Sequence, residues 1–238
     1  MKKIVLLLSL LILVSLTGCN VKENDKETVG IVMPSKTNER WNRDGYFLKN
    51  SFEKMGYNVE LRFSDDDINQ QINDIQVLIA DDVDVLIITA IDGGTLFRTL
   101  EDAKLKNIPV IAYDRLIMNS DAISYYVSFD NYQVGVLQGQ YIVDTLNLDE
   151  SNGIYNLEIV SGDAADNNAL FFYAGAMDIL NPYIESGQLN IPSKKYTFLQ
   201  TATSLWSIDL ALENMQNTLA SYYSNNQILD AVLCSADN

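Results

Sequence analysis

The chain has 238 residues, 47% of them apolar and 20% charged, enough for one large or two modest folded domains with real cores. Asp and Glu number 32 against 16 Lys and Arg, a net charge of −16, and so acidic a surface repels phosphate backbones and excludes nucleic acid as a partner. There is no histidine and only two cysteines, which excludes serine–histidine nucleophiles, the usual zinc sites and a disulfide framework.

In chain order, Lys2 and Lys3 precede an almost wholly apolar run from Ile4 to Leu16, too short to span a bilayer comfortably and laid out like a secretory signal. Leu16-Thr17-Gly18-Cys19 resembles the lipobox of bacterial lipoproteins, in which the cysteine is acylated and becomes the new N-terminus. An ordinary signal peptide or a retained anchor is the alternative; Cys19 sits where cleavage would fall, which favours acylation. The expected organisation is a signal over residues 1–18, then a lipidated Cys19 with a polar linker over 19–28. The globular part would then work outside the cytoplasm, held to the membrane by lipid.

From Val29 short β-branched runs alternate with helical periodicity. Val29 to Met33 reads as a strand; Trp41, Leu48, Phe52 and Met55 mark one helix face, ended by Gly56. Strands follow at Asn58–Phe63, Val85–Ala90, Val110–Tyr113 and Tyr125–Phe129, with helical stripes Ile68/Ile72/Ile75/Ile79 and Leu96/Leu100/Ala103 between them. The pattern then restarts: a helix from Asn131 to about Leu146, a strand at Tyr155–Val160, a helix over about Asn168–Ile184 and a strand at Tyr196–Leu199. A helix carrying Ile208, Leu212, Met215, Leu219 and Tyr222 precedes a last strand at Ala231–Cys234. Continuous apolar strands between amphipathic helices predict parallel sheets covered on both faces, in two α/β lobes over 29–129 and 130–238. Because no covering helix follows the last strand, the second lobe reads as incomplete and the chain as a fragment. Cys234, in an apolar strand, is expected as a buried thiol.

Ligands of open parallel sheets bind beyond the carboxyl ends of the strands. Polar groups collect there: Arg40 and Trp41 after the first strand, Asp92 after the third, Asp114-Arg115 after the fourth. Asp166 and Asn168 follow the first strand of the second lobe, Trp206 the next and Asp237 the last. Carboxylates accept from adjacent hydroxyls, guanidinium groups donate to them, carboxamides do both, and indoles pack on sugar C–H faces. This is a binding inventory for a neutral polyhydroxylated ligand, with no catalytic residue and no cofactor or metal implied. Singly, each residue has a blander explanation. Asp92 and Asp166 can be helix N-caps, Trp41 and Trp206 core residues, and Asp114-Arg115 a turn. Asp65-Asp66-Asp67 reads as a solvated turn and a helix start, with calcium binding as the alternative, and Tyr125-Tyr126, Phe171-Phe172 and Tyr222-Tyr223 as packing.

Glu39-Arg40-Trp41, Ile91-Asp92-Gly93, Ile111-Ala112-Tyr113-Asp114-Arg115-Leu116 and Ser128-Phe129-Asp130-Asn131 stand in a familiar order, as do Gly135-Val136-Leu137-Gln138, Asp166-Asn167-Asn168-Ala169 and Asp230-Ala231-Val232. In them the chain resembles the sugar-binding proteins of bacterial ABC importers, in particular the D-xylose-binding and multiple-monosaccharide-binding group, from Val29 to its end. The resemblance implies a two-lobed type I periplasmic-binding-protein fold. Sugar hydroxyls would be held by Arg40, Asp114 and Arg115 from the first lobe and by Asp166 and Asn168 from the second. Trp206 would stack on the ring, with Trp41 as opposing wall. Ala236 departs from the group, which carries a polar or aromatic contact residue there.

The function that follows is an extracytoplasmic, lipid-anchored, monomeric solute-binding protein that closes on a xylose-like pentose or a hexose and delivers it to an ABC permease. A sensor presenting bound sugar to a chemoreceptor or histidine kinase shares the binding step. A repressor of related fold would carry a DNA-reading helix–turn–helix where this chain carries an export signal. A secreted glycosidase would need two opposed carboxylates; Asp114 and Asp166 are the pair on offer, but Arg115 beside the first would keep it ionised.

Overall fold

In a computed structural model, residues 26–224 and 227–236 are described; the signal with Cys19, and Asp237, lie outside the described residues. Strands Thr28–Met33 (β1), Asn58–Phe63 (β2), Val85–Ile88 (β3), Val110–Tyr113 (β4) and Ile123–Val127 (β5) form one sheet in the order β2-β1-β3-β4-β5. Every pair in it is parallel. Parallel neighbours need long crossovers, and helices Glu39–Met55 (α1), Ile68–Ala80 (α2) and Phe97–Leu105 (α3) supply three of them.

The strand pleat sorts the side chains. Val32, Leu86, Ile88, Val110 and Ala112 enter the core cluster that includes Ile75, Leu78, Leu96 and Leu100 of the α2–α3 side. Their neighbours Ile31, Met33, Ile87, Ile111 and Tyr113 point to the opposite face, where Trp41, Leu48 and Phe52 of α1 pack. Both faces are therefore apolar, which is why these strands read as unbroken hydrophobic runs. Gly56 ends α1 at φ 99°, a conformation that a residue without Cβ enters at little cost.

The second unit begins with helix Asn131–Leu146 (α4). Strands Tyr155–Val160 (β6), Leu189–Asn190 (β7) and Ala231–Cys234 (β8) form a parallel sheet in the order β7-β6-β8. Helices Asn167–Glu185 (α5), Phe198–Thr201 (α6) and Ile208–Tyr222 (α7), with a 3₁₀ turn at Ser204–Trp206, complete it. α4 and α5 touch backbone to backbone. A Cβ on Gly135 would lie 2.1 Å from the Phe172 carbonyl oxygen, and one on Gly175 2.1 Å from that of Tyr132. A Cβ on Gly139 would be tight in the same way, 2.8 Å from the Ala176 carbonyl oxygen, so the helix pair requires all three glycines.

Three expectations need correction. β5 starts and ends two residues earlier than the apolar run Tyr125–Phe129 suggested, because pairing with β4 begins at Ile123 and slips by a bulge after Val110. Tyr196–Leu199 is no strand: Gln200 Oε1 accepts the N–H groups of Tyr196 and Thr197, and this cap starts α6. The neighbour of β6 there is the short β7, together with a single bridge between Ser161 and Ala202. Cys234 is exposed, not buried: the pleat of β8 turns Leu233 into the core and leaves Val232 and Cys234 on the other, exposed face. The apolar stripe of α7 does form a helix, but Ile208, Leu212, Leu219 and Tyr222 stay exposed among the described residues.

Candidate functional site

The site grows from the carboxyl end of β4. Asp114 adopts φ 63°, a left-handed conformation that aspartate tolerates better than most side chains. Buried Arg115 follows, and its Nη1 donates at 3.0 Å to the carbonyl of Ala90, just beyond the carboxyl end of β3. The Asp114 carboxylate pairs with the Arg40 guanidinium from the first turn of α1. Trp41 beside it is only 5% exposed and belongs to the core, yet its ring carries Arg40 at 4.5 Å and Arg115 at 5.2 Å from the centroid. It acts as an aromatic bearing for both guanidinium groups.

The other half grows from the start of α5. Asp166 is its N-cap, accepting the Asn168 N–H at 3.0 Å, so the bland reading of this residue is correct. It is also more than a cap. Its second oxygen lies 2.9 Å from Arg115 Nε and accepts the Trp206 indole N–H at 3.1 Å. The Arg115 contact is an ion pair without an aligned hydrogen bond, which leaves Nε short of a partner. Burial pushes the Asp166 carboxyl above its ordinary range, against the opposing pull of Arg115. Arg115, whose blander alternative is a turn with Asp114, pairs with the opposite lobe instead.

Trp206 is presented on strained backbone. It and Leu205 both sit at φ 54°, a conformation costing about 1–2 kcal/mol per residue for a side chain with Cβ. The Asp163 carboxylate anchors the turn by accepting the Leu205 N–H. The indole lies against Gly162, where a Cβ would sit 2.1 Å from Cη2. That is the close approach this glycine permits.

Asn168 Nδ2 donates to the Asp114 carbonyl at 3.0 Å, a second direct link between the units. A third runs through Gly93, whose N–H approaches the Ala165 carbonyl at 3.5 Å and which has no room for a side chain against Leu116 and Asn167. The structure thus gathers Arg40, Trp41, Asp114, Arg115, Asp166, Asn168 and Trp206 into one cluster. Asp92 stands apart: its carboxylate folds onto its own loop, accepting the Gly94 N–H at 2.7 Å. Tyr126, read from sequence as packing, has a functional-looking hydroxyl that donates to the Asp114 carbonyl at 3.2 Å, beside the Ser128 hydroxyl at 2.8 Å. Nothing in an apolar Tyr-Tyr pair marks this; the strand must first be placed at the sheet edge beside β4.

A small recess lies elsewhere, under α7, lined among others by Glu158, Lys195, Thr201, Asn214 and Thr218. Glu158 is buried there with its carboxylate accepting from Ser193 and from the Tyr223 hydroxyl, whose pKa burial and this contact raise. It shares no residue with the interlobe cluster. Among the described residues no group of His, Cys, Asp and Glu is arranged to hold a metal ion.

Two parallel α/β units whose strand ends meet through polar side chains define a two-lobed binding protein. A family model described as "Periplasmic binding protein domain" matches residues 29–238, and the chain belongs to that family, in its type I fold. It is 45% identical over 226 residues to the multiple sugar-binding periplasmic protein SbpA of Azospirillum brasilense, matching 94% of this chain and 63% of that protein. Identity to the D-xylose-binding periplasmic protein of Escherichia coli is 34% over 224 residues, again 94% of this chain and 63% of the relative. A solved ABC transporter solute-binding protein from Clostridium phytofermentans, with bound β-D-glucose, gives a TM-score of 0.87 at 47% identity, covering 89% of this chain and 65% of that one. The chain therefore spans 63% of the length of those two curated relatives. By name all three are binding proteins, not enzymes.

Proposed function

We propose that this chain captures a neutral monosaccharide between its two lobes, as part of an extracytoplasmic, lipid-anchored solute-binding protein serving an ABC import permease. The observation that carries the reading is the reach of Arg115 and Asn168 across the lobe boundary, to Asp166 and Asp114. Fixed donors and acceptors from two separately folded units converge on one place. A sugar entering there would be bound by the groups that these links hold in place, with Arg40 and Arg115 donating, Asp114 and Asp166 accepting and the Asn168 amide doing both. Trp206 would cover one face of the ring. Because only the closed arrangement offers both halves of the cluster at once, bound sugar selects it by hinge rotation. The relatives support a sugar as ligand, since SbpA is named for several sugars and the Clostridium protein holds β-D-glucose. The Lys2–Cys19 segment supports export and acylation of Cys19, and a monomer suffices for capture. The chemistry ends at binding: Asp166 is held by Arg115 and Trp206, not aimed at a glycosidic oxygen.

Calorimetric titration of the protein with a panel of pentoses and hexoses tests this. Saturable heat with at least one sugar below millimolar concentration is expected. Silence across the whole panel would overturn the reading.

A further inference from the structure

Asn168 can serve a sugar only if its carboxamide is turned the right way, and the two ends of that group are not equivalent: one donates, the other accepts. Its Nδ2 faces the Asp114 carbonyl, an obligate acceptor, at 3.0 Å. Its Oδ1 faces Asn131 Nδ2, an obligate donor, at 2.9 Å, with the Tyr126 hydroxyl farther off at 3.4 Å. Asn131 is buried, opens α4, and is the first helical residue after the chain passes from one lobe to the other. Its Nδ2 also lies 3.4 Å from Ser128 Oγ and from the Tyr126 hydroxyl, both on the first-lobe side of that passage.

Asn131 is held firmly. The Gly135 and Gly175 contacts lock α4 on α5 without intervening side chains, and Tyr132, next to Asn131, donates to Asp178 of α5. The two helix starts, and with them Asn131 and Asn168, therefore move as one block. Tyr126, Ser128 and Asp114 move with the other lobe. The Asn168–Asp114 hydrogen bond crosses between the two blocks, and Asn131 decides which end of the Asn168 amide is available to make it.

The geometry points to Asn131 as a positioning residue that sets the Asn168 carboxamide, and through it the closed relation of the lobes, without itself touching ligand. This rests on the reading that sugar binds between the lobes. Without the Asn131 donor, Oδ1 keeps only the longer contact with the Tyr126 hydroxyl, whose single proton is shared with the Asp114 carbonyl, so the amide is held loosely and its interlobe bond and sugar contact weaken together. Opening, not encounter, should then speed up.

The test is stopped-flow tryptophan fluorescence of the full chain with D-glucose and D-xylose as probes, comparing wild type with Asn131→Ala and Asn131→Asp. Asp has the shape of Asn, but its carboxylate cannot donate to Asn168 Oδ1. Loss of one net hydrogen bond predicts a dissociation rate raised about tenfold with the association rate unchanged. Melting temperatures should stay within about 2–4 °C of wild type. Unchanged dissociation rates in the folded variants would overturn the proposal, as would an affinity loss that merely tracks the unfolded fraction. If Asn131→Ala does not fold, the isosteric Asn131→Asp decides alone. A wild-type protein that binds neither probe nor any other sugar fails the functional reading itself, and the wild-type trace separates that outcome from a failure of Asn131.

Discussion

The starts of α2 and α5 are the same local device put to different ends. Each opens with an aspartate in extended conformation whose carboxylate accepts an N–H two residues on, Asp67 from Asn69 at 2.7 Å and Asp166 from Asn168 at 3.0 Å. Asp67 is exposed and does nothing further. Asp166 is 4% exposed, and its other oxygen meets Arg115 from the opposite lobe and the Trp206 indole. A cap satisfies one oxygen only. What the second oxygen meets depends on which elements the fold brings over the helix start, and that difference turns a local start signal into part of the interlobe cluster.

The comparison breaks most visibly at Arg115. Arg115→Ala leaves the Asp166 carboxylate buried without its cation, and loss of about 3–5 kcal/mol of stability is expected, read by chemical denaturation, along with loss of sugar binding. A variant as stable as wild type would show that the pair across the lobes is idle. Next in size is Gly162→Ala, whose new methyl meets the Trp206 ring; overpacking of this kind costs about 1–3 kcal/mol, and sugar affinity should fall as the indole is displaced. Binding unchanged in that variant would remove Trp206 from the site. Asp67→Ala sharpens the contrast from the other side, costing about 1 kcal/mol of helix capping while leaving sugar affinity at the wild-type value.

The smallest effect is expected from pH alone. Burial holds the Asp166 carboxyl above its ordinary 3.8, so between that value and its raised one the folded protein binds the proton that the unfolded chain has released. This group's contribution to stability therefore falls as pH rises through that window, and the ionised form is the costly one. Sugar affinity should run the opposite way, weakening as pH drops from neutrality into the window, because a protonated Asp166 holds Arg115 less firmly. Titrations in a series of buffers check this; affinity flat down to the ordinary carboxylate range would mean that the Asp166 charge plays no part.

Much of the architecture was legible in the residues. β2, β4, β6, β8 and α4 lie where periodicity and turn residues put them, since each is set by its own pattern of burial. β5 and the region around Tyr196 were not, because an edge strand's register and a four-residue helix depend on partners distant in the chain. The contents of the site were readable as residue types at strand ends. Their pairings were not: Arg115 reaches Asp166 and not its neighbour Asp114, Asp92 turns inward on its own loop, and Tyr126 and Asn131 join the cluster from positions that look like packing and a helix start.

From the sequence alone came the alternation of strands and helices, the division into two α/β units and a polar inventory suited to a hydroxylated ligand, because burial periodicity and side-chain chemistry are carried residue by residue. Tertiary structure alone decided which carboxylate meets which guanidinium, that Trp206 rests on Gly162, and that Asn131 donates to Asn168. Those are contacts between elements far apart in the chain, and only the docking of one lobe against the other brings their atoms within hydrogen-bonding distance.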